Sequence, residues 1–307
     1  MAEYRDIYRR AANGEGQVVS FKYTCGNPRA IVQIVHDISE HSLRYHELAV
    51  ALNDAGFYVC GNDLIGHGMS KQGHQGCFGM KKNSYEGLLG DIDSLFDEVS
   101  SEFDDAIPRI LIGAGFGAML SELYTIKYGN ISMIISMENL EIPAALSFIK
   151  LNANNHIKRN GFNSVSESVH NMMYQMGKPA GSPPYNEFFW ISSDEEELKK
   201  YVDDEDCGFM LTASAYREII SVIEQLRGKD GIVRLPDIPI YILAGSEDQR
   251  GNCGNSVMRI ANMLSEKGHN EVSYKLYKDC YHDILHDICK KQVIKDILGW
   301  IEHKLNK

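Results

Sequence analysis

The chain has 307 residues, of which 44% are hydrophobic and 24% charged, and this composition predicts a soluble globular protein with an ample core. Its formal net charge of −11 at pH 7 disfavours nucleic acid as a partner, because a phosphate backbone would be repelled. No apolar run approaches the ~18 residues of a transmembrane segment, and the first residues lack the apolar stretch of a secretory signal. The seven cysteines show no CxxC spacing, which is typical of reduced thiols, so we expect a cytoplasmic protein.

The first half of the chain alternates short apolar strands with amphipathic helices. Apolar periodicity predicts strands over residues 17–24, 30–35 and 57–60, a strand beginning at Ile110, and another over 131–137. It predicts a helix from about Ser42 to Gly56, a long helix whose apolar face runs from Leu88 to Phe103, and a helix that ends at Gly129. This alternation is typical of an α/β fold with a mostly parallel central sheet flanked by helices.

The alternation stops between about residues 143 and 235 and then resumes. The interrupted segment contains helical stretches but no visible strand and helix alternation. Beyond it the pattern predicts a strand over 240–244, a helix around 257–264, a strand over 271–277 and a final helix over 287–305. We therefore predict one α/β core, formed by residues 1–142 and 236–307, with an inserted and mainly helical cap at 143–235.

A glycine-rich corner follows the strand that begins at Ile110. Residues 110–120 read ILIGAGFGAML, so an apolar strand enters a Gly113-Ala114-Gly115-Phe116-Gly117 turn and an apolar helix leaves it. This is the local pattern of a nucleophile elbow, G-x-S-x-G, in which a sharp turn raises one side chain above the sheet. In that frame Gly113 and Gly117 are the flanking glycines, and Gly115 stands at the nucleophile position.

Two later residues fit the same frame. Asp248 follows the strand over 240–244, and His282 follows the strand over 271–277, so both lie at carboxyl ends of successive predicted strands. The order nucleophile, acid, histidine along the chain is the order that the elbow fold uses. The chemistry needs these residue types because a hydroxyl attacks only when an imidazole takes its proton and a carboxylate orients the imidazole.

Several further motifs resemble one family, the monoacylglycerol lipase and bacterial lysophospholipase branch of the α/β-hydrolases, also described as serine aminopeptidase-like. The matching segments are spread over nearly the whole chain. They are residues 36–45 (HDISEHSLRY, similar to HG-x-x-EH-x-x-RY), 62–70 (NDLIGHGMS, similar to ND-x-x-GHG-x-S), 189–192 and 206–209 (short cap motifs), 245–252 (the acid loop) and 281–285 (YHDIL, similar to the base motif RHE-x-L).

The resemblance implies a site and an activity. It implies that Asp248 is the triad acid, that His282 is the base, and that the backbone N–H groups of Ile38 and Phe116 form the oxyanion hole. It also implies a cap that lines an apolar channel, and hydrolysis without a cofactor of a small-molecule acyl ester or a similar lipid-like ligand.

Three residues depart from the family pattern at the predicted site. Gly115 replaces the nucleophilic serine, Ala114 replaces the histidine of the GHSMG form, and Asp37 replaces the glycine of the HG pair. Glycine accepts the strained conformation of an elbow at little cost, so the fold tolerates the loss of the serine. Three departures around one site favour natural divergence over a single introduced change at position 115.

The sequence leaves three hypotheses for function. The first is a pseudoenzyme that binds an acyl-like ligand or a partner without turnover. The second is an ester hydrolase in which Gly115 is an introduced change, or in which Asp248 and His282 activate water directly. The third is an interaction module with a vestigial pocket.

The remaining candidate residues give weaker evidence for a site. His282 and His286 have the i, i+4 spacing of a helical zinc pair, but no third ligand is placed, so we assign no metal site. Ser121, six residues beyond the elbow position, is predicted to be an ordinary helix residue rather than a substitute nucleophile.

Overall fold

The computed structural model describes residues 4–71, 74–103, 107–140, 145–174, 188–227 and 230–306. Within these ranges eight strands form one sheet. The strands are β1 (Tyr4–Arg10), β2 (Gln17–Tyr23), β3 (Ile31–Val35), β4 (Tyr58–Asn62), β5 (Arg109–Ala114), β6 (Met133–Met137), β7 (Ile240–Gly245) and β8 (Val272–Tyr277).

The sheet is mostly parallel. Its spatial order is β1-β2-β4-β3-β5-β6-β7-β8, and β2 pairs antiparallel with both of its neighbours while every pairing from β4 to β8 is parallel. Strands β3, β4, β5 and β6 are buried along their whole length, apart from the first residue of β5, as expected for parallel strands covered on both faces. The α/β fold predicted from the alternation of strands and helices is confirmed.

Helices cover both faces of the sheet. They are α1 (His46–Asp54), α2 (Tyr85–Ser100), α3 (Phe116–Tyr128), α4 (Leu146–Asn160), α5 (Glu167–Tyr174), α6 (Glu195–Asp203), α7 (Ala213–Arg227), α8 (Asn255–Glu266) and α9 (Lys290–Leu305). One apolar cluster joins one sheet face to side chains of α2, α3, α7 and α8, and a second joins the opposite face to α1 and α9. The candidate site residues lie in the loops at the carboxyl edge of this sheet, which is covered on both faces.

Two features near the N-terminus differ from the pattern-based prediction. The segment Tyr4–Arg10 forms an edge strand paired with β2, although its charged residues hide the apolar alternation that would have predicted it. The helix predicted from Ser42 begins with a 3₁₀ turn, Ser42–Tyr45, and becomes α-helical at His46. Both differences come from hydrogen bonds to distant residues. Strand β1 pairs with β2, and the N–H of Ser42 donates to Asp63. Local periodicity does not predict such contacts.

The segment predicted as a cap contains α4, α5, α6 and α7. Helix α7 packs against α3 of the core and against α4 and α5, so this segment is anchored on the helix that follows the elbow. The predicted boundary at residue 143 lies outside the described residues. The division into a core and a cap stays a prediction.

The cysteine prediction is wrong for one pair. Cys280 and Cys289 form a disulfide with a Cα–Cα distance of 6.6 Å, and the free cysteines of the described residues are Cys25, Cys60, Cys77, Cys207 and Cys253. The spacing of nine residues matches no motif, so only the fold of the loop after β8 brings the two sulfur atoms together.

In the described ranges, none of the helices is both long and apolar enough to cross a membrane.

Candidate active site

The elbow turn begins where β5 ends. Gly115 lies between β5 and α3 with φ of +50° and ψ of −114°, a conformation that side chains rarely adopt. Its N–H donates to the carbonyl of Met137 on the neighbouring β6 at 3.0 Å. Two residues later, a Cβ on Gly117 would lie 2.1 Å from the carbonyl oxygen of Val35, so the helix can begin this close to β3 only with glycine there. The predicted strand, turn and helix are all present.

The carboxylate of Asp37 fills the space of the missing nucleophile. A Cβ placed on Gly115 would lie 2.1 Å from Cγ, 2.2 Å from Oδ1 and 2.4 Å from Oδ2 of Asp37. The N–H of Phe116, one of the two predicted oxyanion donors, donates to Asp37 Oδ1 at 2.6 Å. The second predicted donor, Ile38, borders the same small cavity as Asp37. Asp37 therefore does not stand beside the predicted oxyanion hole but lies in it.

Neighbouring residues fix the backbone of Asp37. The N–H of Leu64 donates to Nε2 of His36 at 2.9 Å, so Nδ1 of that ring carries the proton and donates to the Asp37 carbonyl at 2.5 Å. The Asp37 N–H donates to Oε1 of Glu40 at 2.9 Å. Both backbone polar groups of Asp37 are thus satisfied, and this holds its side chain toward the elbow.

Asp248 and His282 lie together as the sequence predicted. Nδ1 of His282 is 3.1 Å from Oδ1 of Asp248, and both side chains are buried. Asp248 follows β7, where its Oδ1 also accepts from the N–H of Arg250 at 3.0 Å. On the other side of the imidazole, Nε2 of His282 is 3.5 Å from Oδ2 of Asp37. The His282 imidazole therefore lies between two carboxylates.

This arrangement sets the charge of the imidazole. Burial disfavours the charged ring, but the attraction of Asp248 and the contact with Asp37 outweigh it and raise the pKa of His282 well above its usual range. Burial also opposes ionisation of Asp37, but its contacts with His282 and the Phe116 N–H prevail and lower the pKa of the Asp37 carboxyl. At neutral pH the site therefore holds an Asp37 carboxylate next to a His282 imidazolium.

Glu138 is a third acidic residue of the site, and the sequence patterns did not single it out. It follows β6 with a positive φ of 62°, and its Oε1 accepts from the N–H of Ile284 at 3.2 Å. Burial and then the nearby Asp283 raise the pKa of Glu138 well above its usual value, which favours the protonated carboxyl. Its position directly after a buried strand is the signal that could have identified it.

Two groups of side chains have spacings that could hold a cation. Possible ligand atoms of Asp37, Glu138 and His282 all lie within 4.8 Å of one another, as do those of His41, Asp204 and Cys207. The histidine pair considered from the sequence is not a pair in space. Nδ1 of His286 faces Asp283 at 2.8 Å and Nε2 faces the Arg44 carbonyl at 2.9 Å. Residues 284–286 form a 3₁₀ turn rather than an α-helix, so the i, i+4 spacing does not apply.

The segment predicted as a cap closes over the base. The ring of Trp190 lies 5.2 Å from that of His282, and the carbonyl of Ile191 accepts from the N–H of Asp283 at 2.8 Å. The guanidinium of Arg250 stacks over Trp190 at 4.6 Å. A cavity of about 20 Å³ remains between these groups and Asp37, which is room for about one water molecule.

A buried ion-pair network joins the loop after β3 to the loop that carries His282. Arg44 donates to Glu40 Oε2 at 2.9 Å and to Asp283 Oδ2 at 2.5 Å, and its pKa is raised well above the usual value because these two carboxylates outweigh the cost of burial. The hydroxyl of Tyr45 donates to Glu40 Oε1 at 2.7 Å. These contacts fix the relative position of Asp37 and His282.

The segment 62–70 supports the site without reaching it. Asp63 accepts from Ser42 N–H at 2.8 Å and from Met69 N–H at 2.8 Å, which closes the loop after β4. His67 is fully buried against Phe78, and burial lowers its pKa to about 3, so the ring is neutral. Ser121 donates to the Gly117 carbonyl at 2.8 Å inside α3, as expected for an ordinary helix residue.

The sequence is similar to that of one family over most of its length. Residues 26–288 match the hydrolase family described as serine aminopeptidase, S33. A monoacylglycerol lipase of Mycolicibacterium smegmatis is 24% identical over 90% of this chain and 89% of its own length. A monoglyceride lipase of Mus musculus is 23% identical over 98% of this chain and 92% of its own.

Solved structures show the same architecture. The carboxyl esterase of Bacillus coagulans, crystallised with glycerol, superposes with a TM-score of 0.91 at 26% identity and covers 99% of both chains. A lipase in its open form also has a TM-score of 0.91, at 22% identity over 99% of this chain and all of that one. With the family match over most of its length, the chain belongs to the serine aminopeptidase S33 family and has the α/β-hydrolase fold of the monoacylglycerol lipase-like branch.

Proposed function

We propose that this protein is a member of the monoacylglycerol lipase-like branch that has lost serine-type hydrolysis of carboxylic esters. One observation carries the proposal: the elbow presents Gly115, and the carboxylate of Asp37 occupies the position of the nucleophile and the Phe116 N–H. The site has no hydroxyl at the elbow to attack an ester. Its predicted oxyanion donor is already bound to an anion, which excludes a second negative charge.

Direct activation of water by Asp248 and His282 is disfavoured by the same geometry. A general base must accept a proton near the operating pH. The carboxylates of Asp37 and Asp248 lie 3.5 Å and 3.1 Å from the two ring nitrogens of His282. Burial opposes a charge on the ring, but these carboxylates outweigh burial and raise the pKa of His282, which favours the imidazolium and makes the ring a poorer proton acceptor. The arrangement supports the pseudoenzyme hypothesis over this alternative.

The geometry also disfavours the hypothesis of a single introduced change at position 115. A serine Cβ would lie 2.1 Å from Asp37 Cγ, far inside van der Waals contact, so serine at 115 and the present conformation of Asp37 exclude each other. A chain with serine at position 115 would have needed another residue or another side-chain position at 37. Gly115 and Asp37 fit each other, which favours divergence of both positions together.

An acyl-like ligand remains part of the proposal, with a constraint on where it binds. The cavity that touches Asp37 and His282 measures about 20 Å³ and is bordered by the carboxyl groups of Glu40, Glu138 and Asp283. An acyl chain does not fit against the elbow in this arrangement. We propose that such a ligand binds, without turnover, only after the cap residues around Trp190 move, and that the protein acts in the cytoplasm.

The proposal is tested with a fluorophosphonate probe, which labels activated serines. The protein as given is expected to show no labelling, and the double variant Asp37→Gly with Gly115→Ser serves as the positive control. Labelling of the unaltered protein that disappears in His282→Gln would overturn the proposal, because it would reveal a working serine nucleophile elsewhere in the site.

A further inference from the structure

We propose that His41, Asp204 and Cys207 form a zinc site that joins the loop after β3 to the loop after α6. None of the three residues borders the cavity beside Asp37 and His282, so this site does not depend on the loss of ester hydrolysis. It is supported by the spacing of the three side chains, by the kinds of donor atom they carry, and by the hydrogen bonds that hold the two loops together.

The three side chains meet in space although 163 residues of chain separate His41 from Asp204. One possible ligand atom of each residue, a nitrogen, an oxygen and a sulfur, lies within 4.8 Å of the other two. Nε2 of His41 is 2.9 Å from Oδ2 of Asp204. The usual bond lengths place the ligands of a tetrahedral zinc ion roughly 3.3 to 3.6 Å apart, so shifts of about 1 Å would complete the site.

The donor atoms indicate which metal the site suits. Magnesium and calcium take oxygen ligands, whereas thiolate, imidazole and carboxylate together are a ligand set that zinc takes in proteins. The thiolate of Cys207 in particular favours a softer ion than magnesium or calcium. The other group with suitable spacing, at Asp37, Glu138 and His282, offers no sulfur. Zinc is therefore expected to prefer the group that contains Cys207.

Hydrogen bonds hold the two loops against each other. The Ser39 carbonyl, two residues before His41, accepts from the N–H of Gly208 at 2.8 Å and from the hydroxyl of Tyr201 at 3.1 Å. The Ser39 hydroxyl donates to the carbonyl of Phe209 at 2.9 Å. Because these contacts already order both loops, metal binding costs little further loss of chain entropy.

Asp204 and Cys207 lie on one tight turn. The N–H of Cys207 donates to the Asp204 carbonyl at 3.0 Å. The N–H of Asp206 donates to Oδ1 of Asp204 at 2.8 Å, which leaves Oδ2, the oxygen that faces His41, for a cation. Hydrogen bonds of this kind orient the ligands of zinc sites and support their affinity.

A cavity gives the site access to solvent. It has a volume of about 260 Å³ and is bordered by His41 and Asp204, together with the carboxylates of Asp63 and Asp206. The side chains of His41 and Asp204 are 14% and 37% exposed, whereas Cys207 is buried behind them. An ion can therefore enter from the cavity, and a water molecule there can supply the fourth ligand.

The charges around the thiol favour a divalent cation. The charged side chains that act most strongly on Cys207 are one guanidinium and three carboxylates, namely Arg44, Glu40, Asp204 and Asp283. Arg44 is paired with two of these carboxylates, Glu40 and Asp283. The remaining carboxylate and a Cys207 thiolate carry two negative charges, which one zinc ion neutralises.

Zinc X-ray absorption tests the ligand set directly. The full chain is prepared free of metal and mixed with one equivalent of zinc chloride, and it carries Cys253→Ser because that exposed thiol could bind metal by itself. We expect one sulfur at about 2.3 Å and two or three nitrogen or oxygen atoms at about 2.0 Å. A zinc ion with only nitrogen and oxygen ligands, or no zinc retained after desalting, would overturn the proposal.

Matched variants in the same background identify the ligands. His41→Gln, Asp204→Asn and Cys207→Ser should each weaken zinc binding by more than about 100-fold, because loss of an outer hydrogen-bonding partner alone costs 10–100-fold. Asp203→Asn removes an exposed carboxylate next to Asp204 and should bind zinc like the parent. Competition with a chromophoric chelator measures the affinities. Equal affinity in the parent and in a folded Cys207→Ser variant would contradict the proposed site.

One further variant distinguishes the two groups that have cation spacing. Glu138→Gln should leave zinc binding unchanged, since Glu138 belongs to the other group. Loss of binding in Glu138→Gln with retention in Cys207→Ser would assign the ion to that group and overturn the proposal.

The zinc site and the proposed function fail in different ways. Zinc should raise the melting temperature of the parent but not that of Cys207→Ser, because the ion binds only the folded site. Circular dichroism confirms that each variant is folded, and the X-ray absorption measurement needs no change in the three ligands. Fluorophosphonate labelling reports on a serine, so its result is independent of whether zinc binds.

Discussion

The two sides of the candidate site differ in how far they follow the family pattern. After β7 and β8, Asp248 and His282 lie side by side, with 3.1 Å between Oδ1 and Nδ1. On the elbow side, after β3 and β5, Gly115, Ala114 and Asp37 all depart from it. The difference suggests a lesson about packing: Asp248 and His282 are placed by contacts of their own loops, which do not involve residue 115.

Those contacts are visible around the His282 loop. The Asp283 N–H donates to the Ile191 carbonyl, and the Asp283 side chain pairs with Arg44 and His286. The elbow side has a different constraint, because positions 37 and 115 compete for one volume. We therefore expect the loops of Asp248 and His282 to contribute to the stability of the fold. On the elbow side, a side chain at position 115 requires a different residue or side-chain position at 37.

The largest expected effect comes from rebuilding the elbow. Gly115→Ser alone should hydrolyse p-nitrophenyl butyrate no faster than the parent, because Asp37 occupies the place of the hydroxyl and the oxyanion donor. Gly115→Ser with Asp37→Gly should exceed the single variant by about 100-fold or more, since nucleophile, base and oxyanion donor are then all available. Equal rates in the single and double variants would show that Asp37 leaves the hole readily.

The second expected effect is on stability and compares the two carboxylates. Asp248→Asn should lower the free energy of unfolding by about 3 kcal/mol or more, because it removes one partner of a fully buried pair. Asp37→Asn should cost only about 1 kcal/mol, since the amide oxygen can still accept from Phe116 N–H. Urea titration of both variants measures the difference. Similar losses would mean that both sides of the site stabilise the fold equally.

A third effect isolates the competition between positions 37 and 115. Gly115→Ala should cost about 3 kcal/mol in the parent, from backbone strain and overlap with Asp37, and about 1 kcal/mol in an Asp37→Gly background, from strain alone. Gly129→Ala is the matched control. Its φ of +69° imposes strain, but a Cβ there meets nothing within 4 Å, so its cost should be the same in both backgrounds. Absence of coupling between 37 and 115 would place Asp37 elsewhere in solution.

The smallest expected effect is on titration. Burial opposes a charged His282, but Asp248 and Asp37 prevail and raise its pKa, so its contribution to stability is complete below about pH 6.5 and declines as pH rises through the raised value. Glu138, whose pKa burial raises, adds a loss in the same direction above about pH 4.3. Asp37, with a lowered pKa, loses its contribution only as pH falls below about 3.9.

Histidine NMR and melting curves measure this directly. The imidazolium signal of His282 should persist above neutral pH in the parent, and Asp37→Asn should shift its titration to lower pH. The alkaline fall in melting temperature should be shallower in the same variant, because one of the two carboxylates that hold the proton has lost its charge. An unchanged titration in Asp37→Asn would assign the raised pKa of His282 to Asp248 alone.

Local sequence signals were sufficient for most of the architecture. The glycines around 113–117, the apolar strand before them and the helix after them predicted the elbow because each is a property of adjacent residues. Edge strand β1 was missed, since an edge strand needs only one buried face and its charged residues mask the alternation. Glu138 was missed because a single acidic residue after a strand is usually a solvated loop carboxylate.

The sequence by itself determined the fold, the glycine at the elbow and the proximity of Asp248 to His282. The reason is that the carboxyl ends of parallel strands meet at one edge of the sheet, whichever side chains they carry. Only the tertiary structure decided what fills the elbow. Asp37 reaches the N–H of Phe116 across 79 residues of chain, and its direction follows from the fixed tautomer of His36 and the contact with Glu40. The packing of distant loops decides where the Asp37 side chain fits. Hydrophobic periodicity and motif spacing describe only neighbouring residues, so they cannot predict this position.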